Sequence, residues 1–249
     1  MIREARLRAP KEAGMNDTKW EQYGALAGLF FVVIVVVGAL IPGAPPSPDD
    51  SIQEIADYYQ DHTGGIKAGA YLTGLAAVAF LWFLGSLWST LRRFEDTRRL
   101  ATIAVGGGIV GLILAVTAYA LNASVAIALD SAGATQGVNP KFIYIMSGVI
   151  GGMGNFGVAV LVAATGVAIL RTRALPAWLG GPSLVLAVAW IVAGLVVATD
   201  TTAIFTLGFI VFLLWLVWVL VVSFFMLRPQ PAVPADPLPP TTPMPPTTP

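Results

Sequence analysis

The sequence predicts an all-α fold, a polytopic membrane bundle with six transmembrane helices, and three observations support this prediction. Hydrophobic residues make up 56% of the 249 residues and charged residues only 11%, which is more apolar surface than a water-soluble domain can bury. Six apolar segments are long enough to cross a bilayer core, which needs about 20 residues. Lys and Arg are also sorted by side: 12 of the 14 flank the same ends of these segments, and only Lys67 and Lys141 lie at the other ends.

This sorting predicts the orientation of the bundle, because short basic loops stay on the inner side of a membrane during insertion. We therefore expect both termini in the cytoplasm and the acidic loops outside. The outer loops carry seven carboxylates: Asp49, Asp50, Glu54, Asp57, Asp61, Asp130 and Asp200. The net charge of zero conceals two faces of opposite sign. We expect membrane lipids as neighbours and no nucleic-acid partner.

The chain divides into an arm, a transmembrane domain and a tail. The cytoplasmic arm covers residues 1–22, and Met15 is an alternative start to Met1 that would shorten it. The transmembrane domain covers residues 23–227, and a disordered proline-rich cytoplasmic tail is predicted for residues 228–249. The spans are predicted at residues 23–40, 68–91, 100–121, 142–170, 177–199 and 203–227. The short loops and the small soluble mass are typical of a bacterial plasma-membrane protein.

The first outer loop predicts a short amphipathic helix at about residues 48–63. Ser47 is its predicted N-cap, with Pro48 at the first helical position, and Gly64 and Gly65 are the predicted stop. Apolar residues then share one face at spacings of three and four: Ile52, Ile55, Ala56 and Tyr59. We expect this face to lie on the outer ends of the bundle or in the lipid interface, with the carboxylates of the opposite face in water.

The acidic face of this helix is a weak candidate for a cation site. Like charges four residues apart repel by a few tenths of a kcal/mol, so a divalent cation or a basic partner would relieve the stripe. Asp57, Asp61 and His62 are the residues that would bind a hard or borderline cation. A solvated face is the interpretation that we favour, and we expect no metal and no other cofactor.

The C-terminal tail is a second candidate surface for a partner. Ten of the last 21 residues are proline, and the pentapeptide PPTTP occurs at residues 239–243 and again at 245–249. This composition predicts an extended polyproline II segment, which proline-recognition domains bind and which inert spacers also adopt. A protein partner could therefore dock on the tail, as one could on the outer acidic helix.

The six predicted spans contain no Asp, Glu, Lys, Arg or His. Proton relays, voltage sensors and intramembrane ion pairs are built from these residues. The Ser/His or Asp pairs of intramembrane hydrolytic sites are missing as well, and the absence of cysteine excludes a thiol nucleophile. We therefore expect a protein that is not an enzyme.

Asn155 is the deepest polar residue in the predicted spans. It lies near the middle of the fourth span, among several glycines. Its amide would either bond to a neighbouring helix, which we favour, or contact a solute in a cavity. Glycine pairs at a spacing of four residues predict close helix packing at Gly24 with Gly28, Gly107 with Gly111, and Gly148 with Gly152.

Four tryptophans also lie deep in the spans: Trp82, Trp190, Trp215 and Trp218. An indole N–H at that depth needs an acceptor. Packing in the core is the default interpretation, and a pocket for an apolar or lipid-like molecule is the alternative. Together with Asn155, the last three tryptophans form the candidate site for a solute or a helix contact.

The short inner link between spans four and five has the sequence RTRALPAWLG at residues 171–180. It combines a basic stop, a helix break at Pro176 and an interfacial Trp178. With the six spans, the structured first outer loop and the long fourth span, the chain resembles an uncharacterised family of bacterial six-span integral membrane proteins, a domain of unknown function. The resemblance covers residues 23–227 and implies topology but no activity. The proline-rich tail departs from the pattern of that family.

Two hypotheses of function remain open at this level. The leading hypothesis is a non-catalytic membrane protein, a scaffold, sensor or accessory subunit that binds partners through the outer acidic helix or the tail. The alternative is a permease or binding protein for a small neutral or lipid-like solute, held by Asn155 and the deep tryptophans. Only the alternative requires a cavity at mid-membrane depth. The sequence does not predict an oligomeric state.

Overall fold

The computed structural model describes residue 24 and residues 26–131, 139–199 and 202–228. All regular structure in these ranges is helical, and none of them contains a strand. The prediction of an all-α protein is therefore confirmed. Five of the helices are long and apolar enough to cross a membrane, and a further apolar helix is shorter. The predicted N-terminal arm and almost all of the predicted tail lie outside the described residues.

Seven α-helices follow one another along the described chain. They are α1 (Leu26–Leu40), α2 (Ile52–Asp61), α3 (Thr63–Arg92), α4 (Arg98–Asp130), α5 (Pro140–Thr172), α6 (Gly180–Ala193) and α7 (Thr202–Met226). Short 3-10 turns at both ends of α6 make Ala177–Val197 one apolar stretch. The 30 to 33 residues of α3, α4 and α5 give a length of about 45–50 Å, which exceeds the roughly 30 Å of a bilayer core.

The two ends of this bundle differ in charge. Chain order and short connections bring seven arginines of the described chain to one end, the basic end: Arg92, Arg93, Arg98, Arg99, Arg171, Arg173 and Arg228. The opposite end is the lid end, because α2 lies across it. Ile55 and Tyr59 of α2 are buried there against Ile66 of α3 and Val125 of α4. The apolar stripe of α2 therefore fixes the lid on the bundle.

The helix α2 begins later than predicted. Its N-cap is Ser51, whose hydroxyl accepts from the Glu54 N–H at 3.2 Å, while the Ser51 N–H donates to the Glu54 carboxylate at 2.7 Å. Ser47, the predicted cap, closes a separate turn in which its N–H donates to the Asp50 carboxylate at 2.9 Å. Both segments have a serine followed three residues later by an acid. Only the second precedes an apolar stripe that the bundle can bury, and there the helix forms.

The predicted stop at Gly64 and Gly65 was wrong. The helix α2 ends at Asp61, and α3 begins after the single residue His62 and runs through both glycines. A Cβ at Gly65 would lie 3.0 Å from the carbonyl oxygen of Ile41. The glycine is thus needed for the close approach of the chain that leaves α1, not for the end of a helix.

The capping box makes the stability of α2 depend on pH. Hydrogen bonds with the backbone and side chain of Ser51 hold the pKa of Glu54 below its ordinary value of 4.5. A lowered carboxyl pKa stabilises the folded form above the unfolded pKa, and this contribution is lost as pH falls through the lowered value. Hydrogen exchange of the α2 amides, corrected for intrinsic rates, should therefore lose protection below pH 4.5.

The matched variant for this measurement is Glu54→Gln. Its side-chain carbonyl can still accept from the Ser51 N–H but does not titrate. The acid-dependent loss of protection in α2 should be absent from this variant. The same loss in both proteins would show that another group controls the lid in acid.

The helices α4 and α5 are in backbone contact along four glycines: Gly107, Gly111, Gly154 and Gly157. A Cβ at Gly157 would lie 2.6 Å from the Gly111 nitrogen and 2.7 Å from the Gly107 oxygen. A Cβ at Gly107 would lie 2.6 Å from the Gly157 oxygen. The two helices therefore cross at a distance that only glycine permits. We call these four residues the glycine seam.

The other two predicted glycine pairs behave differently from each other. Gly24 and Gly28 lie against side chains of α3 and α7, so this pair also permits close packing. A Cβ at Gly152 would meet valines of the turn that follows α6, whereas one at Gly148 would meet no other element of the described chain within 4 Å. The prediction of close packing is therefore wrong for Gly148, which borders open pockets.

Candidate binding site

A cavity of about 170 Å³ lies at the centre of the bundle, lined by α1 and by α3 to α7. One part of its wall consists of Gly111, Gly151 and Gly154, and the absence of side chains there leaves space for the cavity. The other part is aromatic and consists of Phe31, Phe80, Trp190, Phe212 and Trp215. We call this space the central cavity.

Trp215 lies in the middle of the aromatic wall. Its ring centroid is 5.5 Å from Phe31, 5.7 Å from Phe80, 6.0 Å from Phe212 and 6.1 Å from Trp190. Three of these four contacts are edge-to-face, the geometry that the ring quadrupoles favour. Such contacts contribute about 0.5–1.5 kcal/mol each beyond burial. These ring contacts hold the aromatic side chains of the wall together.

Asn155 places an amide in this wall. Its side chain lines the central cavity and also a neighbouring pocket of about 250 Å³ between α5, α6 and α7. Within the described chain, the amide has no hydrogen-bond partner. The interhelical hydrogen bond that we favoured from the sequence is therefore not formed, because the glycines around Asn155 leave space where a partner would be.

The deep tryptophans do not share one role. Trp190 and Trp215 line the central cavity, and neither indole N–H has an acceptor among the described residues. Trp218 donates instead from Nε1 to the Ser183 hydroxyl at 2.8 Å and so joins α7 to α6. Trp82 is 52% exposed on the surface of α3. Two of the four therefore belong to the cavity and one to a helix contact.

A larger chamber of about 450 Å³ opens beneath α2 at the lid end. Its polar side chains are Tyr58, Tyr59, Tyr119, Tyr144 and Asn122. Tyr119 and Phe212 line both this chamber and the central cavity, so the two spaces adjoin. We call it the lid chamber.

Asn122 connects the lid to the bundle beneath it. The Tyr59 hydroxyl donates to Asn122 Oδ1. The Asn122 amide donates to the carbonyl oxygen of Ala118 at 2.9 Å and to the Ser147 hydroxyl at 3.0 Å. Tyr59 and Ser147 are buried, and hydrogen bonds shielded from water are electrostatically stronger than exposed ones. This network therefore links α2, α4 and α5.

Two further tyrosines bind the loop between α1 and α2. The Tyr58 hydroxyl donates to the carbonyl oxygen of Pro42 at 3.2 Å, and the Tyr144 hydroxyl donates to that of Pro46 at 2.6 Å. Burial raises the pKa of Tyr58 and of Tyr59 above the ordinary value of 10.0. The hydroxyls of Tyr58 and Tyr59 therefore stay protonated and remain hydrogen-bond donors at physiological pH.

Two lysines, Lys67 and Lys141, lie at the ends of the helices opposite to the other basic residues of the described chain. Both connect segments at the lid end. Lys67 of α3 pairs with Asp130 at the end of α4 at 2.7 Å. Lys141 at the start of α5 donates to the carbonyl oxygen of Asp50 at 2.7 Å. The partly exposed ion pair contributes at most about 1 kcal/mol. Each lysine nevertheless joins segments that lie far apart in sequence.

The structure does not bring the predicted cation ligands together. Asp57 accepts a hydrogen bond from the Gln53 amide at 2.8 Å, and Asp61 is exposed. His62 stacks on Tyr58 with ring centroids 4.7 Å apart. In the part of the chain that the structure describes, no group of three or more His, Cys, Asp or Glu side chains is placed to hold a metal ion.

Sequence reasoning missed Tyr119, Asn122 and Tyr144. The third span was predicted to end at residue 121, which left Asn122 just outside it, but α4 continues to Asp130. Tyr119 and Asn122 are three residues apart, and this spacing indicates one face of a helix. The sequence contains this spacing, but the predicted end of the third span at residue 121 separated the two residues.

The two spaces present groups that can bind a ligand. Among the described residues, no carboxylate, imidazole, ammonium or guanidinium group lines the central cavity or the lid chamber. Hydrogen bonds and ring surfaces are what they present to a ligand. Comparisons with protein-family models, curated proteins and solved structures give no match for this chain.

Proposed function

We propose that this protein binds a small neutral or lipid-like solute in its central cavity, as a plasma-membrane binding protein or permease of a bacterium. The observation that carries the proposal is the Asn155 amide, which lines the cavity without a hydrogen-bond partner in the described chain. A glycine-rich wall on one side and an aromatic wall on the other give the cavity room and a defined shape.

Unpaired polar groups make the empty cavity unfavourable. A buried donor or acceptor without a partner costs about 1–3 kcal/mol, and the bilayer core supplies no water to replace the partner. The indole N–H groups of Trp190 and Trp215 are two such groups. The Asn155 amide, which is partly exposed and has no partner among the described residues, lines the same space. A solute that pairs with them removes this cost, which supports a binding role over a purely structural one.

The donors indicate which solute the cavity accepts. An indole N–H only donates, and the NH₂ of Asn155 donates as well. A solute that pairs with these donors must bring acceptor atoms, such as the oxygens of a ketone, an ester or a quinone. The aromatic wall favours a flat or apolar framework around those oxygens.

The orientation is proposed from the charges. The seven arginines of the basic end face the cytoplasm under the positive-inside rule, so the lid end faces outward. The lid chamber, which adjoins the central cavity at Tyr119 and Phe212, then gives access from the outer side.

A scaffold or accessory role remains the other proposal. Its partner surfaces would be the exposed acidic face of α2, with Glu54, Asp57 and Asp61, and the proline-rich tail. Such a role makes no use of the unpaired groups in the central cavity, and for this reason we rank it second.

The test is native mass spectrometry of the full chain, extracted gently from its own membrane. The wild-type protein should retain a stoichiometric small molecule, and the Asn155→Leu variant should retain at least about tenfold less, because one lost hydrogen bond of about 1.4 kcal/mol is tenfold in affinity. The matched control is Met153→Leu on the same helix, where the side chain is 46% exposed and lies outside the central cavity.

The proposal fails if the wild-type protein carries no small molecule and Asn155→Leu only raises its thermal stability. That result would make the central cavity an unfilled gap. A stoichiometric protein partner on the wild-type chain, lost when the tail is removed, would favour the scaffold role instead.

A further inference from the structure

The lid chamber presents different hydrogen-bonding groups from those of the central cavity. Its tyrosine hydroxyls are committed as donors, Tyr58 to Pro42 O, Tyr144 to Pro46 O and Tyr59 to Asn122 Oδ1. Both N–H groups of the Asn122 amide are also used, toward Ala118 and Ser147. Of the side-chain donors that line the chamber within the described residues, only the Tyr119 hydroxyl lacks an acceptor.

Oxygen lone pairs and aromatic rings are what remain for a ligand. A tyrosine oxygen that donates its proton can still accept a hydrogen bond. The loop between α1 and α2 lines the chamber with Pro42 and Pro45, which have carbonyl oxygens but no N–H. The rings of four tyrosines and of Phe209 and Phe212 form much of the remaining wall. Lone pairs and ring faces both attract positive charge.

The charges around the chamber also favour a positively charged ligand. Six carboxylates of the described chain lie at the lid end: Asp49, Asp50, Glu54, Asp57, Asp61 and Asp130. The two lysines at this end are bound to Asp130 and to the backbone of Asp50, and neither lines the chamber. This excess of carboxylates at the lid end raises the local concentration of cations near the chamber.

We propose that the lid chamber is a binding site for a small organic cation, a quaternary ammonium or protonated amine held by tyrosine rings and acceptor oxygens. This site goes beyond the proposed function, because it selects a charge that the donors of the central cavity do not favour. A bare metal ion is a poor fit, since no carboxylate of the described chain lines the chamber. Among the described residues, an anion would find the Tyr119 hydroxyl as its only unused side-chain donor in the chamber.

The first experiment compares two probes of the same shape on the wild-type full chain. Choline carries the quaternary ammonium group, and 3,3-dimethyl-1-butanol replaces its charged nitrogen with carbon. Binding is measured by scintillation proximity with labelled choline and by competition, in a maltoside detergent that has no ammonium group. Choline should bind saturably, and its neutral isostere should compete at least about tenfold more weakly.

The second experiment changes one ring of the chamber. Tyr119→Leu removes the ring and should weaken choline binding about tenfold, whereas Tyr119→Phe keeps the ring and should stay within about threefold of wild type. The matched control is Tyr71→Leu, because Tyr71 lies on α3 with 70% of its surface exposed and does not line the chamber. This control should bind choline as wild type does.

Equal binding of choline and its neutral isostere would overturn the proposal, as would the absence of saturable choline binding. Full binding by a folded Tyr119→Leu variant would also overturn it. The probe comparison uses only wild-type protein, so it decides the matter even if a variant fails to fold. Asn155→Leu should leave choline binding unchanged, so the cation site and the solute site can fail separately.

Discussion

Replacing Gly157 by alanine should destabilise the bundle by about 1–3 kcal/mol, although it adds a single methyl group. That group would lie 2.6 Å from the Gly111 nitrogen and 2.7 Å from the Gly107 oxygen. Neither backbone atom can move without separating α4 from α5. The free energy of unfolding can be measured by titration with sodium dodecyl sulfate in mixed micelles, followed by circular dichroism.

The matched control makes the same change elsewhere on α5. Gly148→Ala adds a methyl group where, among the described residues, no atom beyond the neighbouring part of α5 lies within 4 Å. Alanine favours a helix over glycine by up to about 1 kcal/mol. This variant should be as stable as wild type or more stable. An equal loss of stability in both variants would show that helix flexibility matters at these positions, and not the contact of the glycine seam.

Replacing Tyr59 by phenylalanine should weaken the attachment of α2 to the bundle. The change removes the donor to Asn122 Oδ1 and leaves that oxygen unpaired in a shielded network, at a cost of about 1–3 kcal/mol. The loss should be local: hydrogen exchange should accelerate in α2 by about 5- to 150-fold and change little near the basic end.

The control for this variant is Tyr71→Phe. Tyr71 is 70% exposed, and exposed substitutions of this kind stay within about 0.5 kcal/mol of wild type. Unchanged exchange of α2 in Tyr59→Phe would mean that Ile55 and the lysine contacts hold the lid without the Asn122 network.

Composition predicted the helices but not where they end. Apolar runs mark the part of a helix that a bilayer would surround, so the predicted third span stopped at residue 121. The backbone hydrogen bonds of α4 continue to Asp130, because residues 122–130 include three alanines and a leucine, which favour a helix. Because the predicted span ended one residue before Asn122, the sequence analysis did not identify this residue, which joins the lid to the bundle.

The N-cap of α2 shows a second limit of sequence reasoning. Ser47 and Ser51 are each followed three residues later by an acid, and both make the local hydrogen bonds of a cap. Only tertiary burial of Ile55 and Tyr59 selects the second serine as the start of the helix. A local pattern cannot carry that information.

Asn155 was identified from the sequence, but its surroundings were not. Whether an amide meets a partner or a cavity depends on how neighbouring helices are rotated about their axes. The glycines beside Asn155 predicted close packing in general, but which of them face a backbone and which face space is decided by that rotation. Gly154 and Gly157 lie in the glycine seam, whereas Gly148 borders open pockets.

The glycine seam makes α4 and α5 a rigid strut. Helices whose backbone atoms touch cannot slide past each other, because no side-chain rotamer can absorb the displacement. The helix α7 meets the central cavity through the side chains of Phe212 and Trp215, which can change rotamer. A pocket of about 250 Å³ already borders α7 at Ile204 and Gly208. If the central cavity takes up a solute as proposed, a change in its shape would involve side chains of α7 such as Phe212, which also lines the lid chamber, while α4 and α5 stay fixed relative to each other.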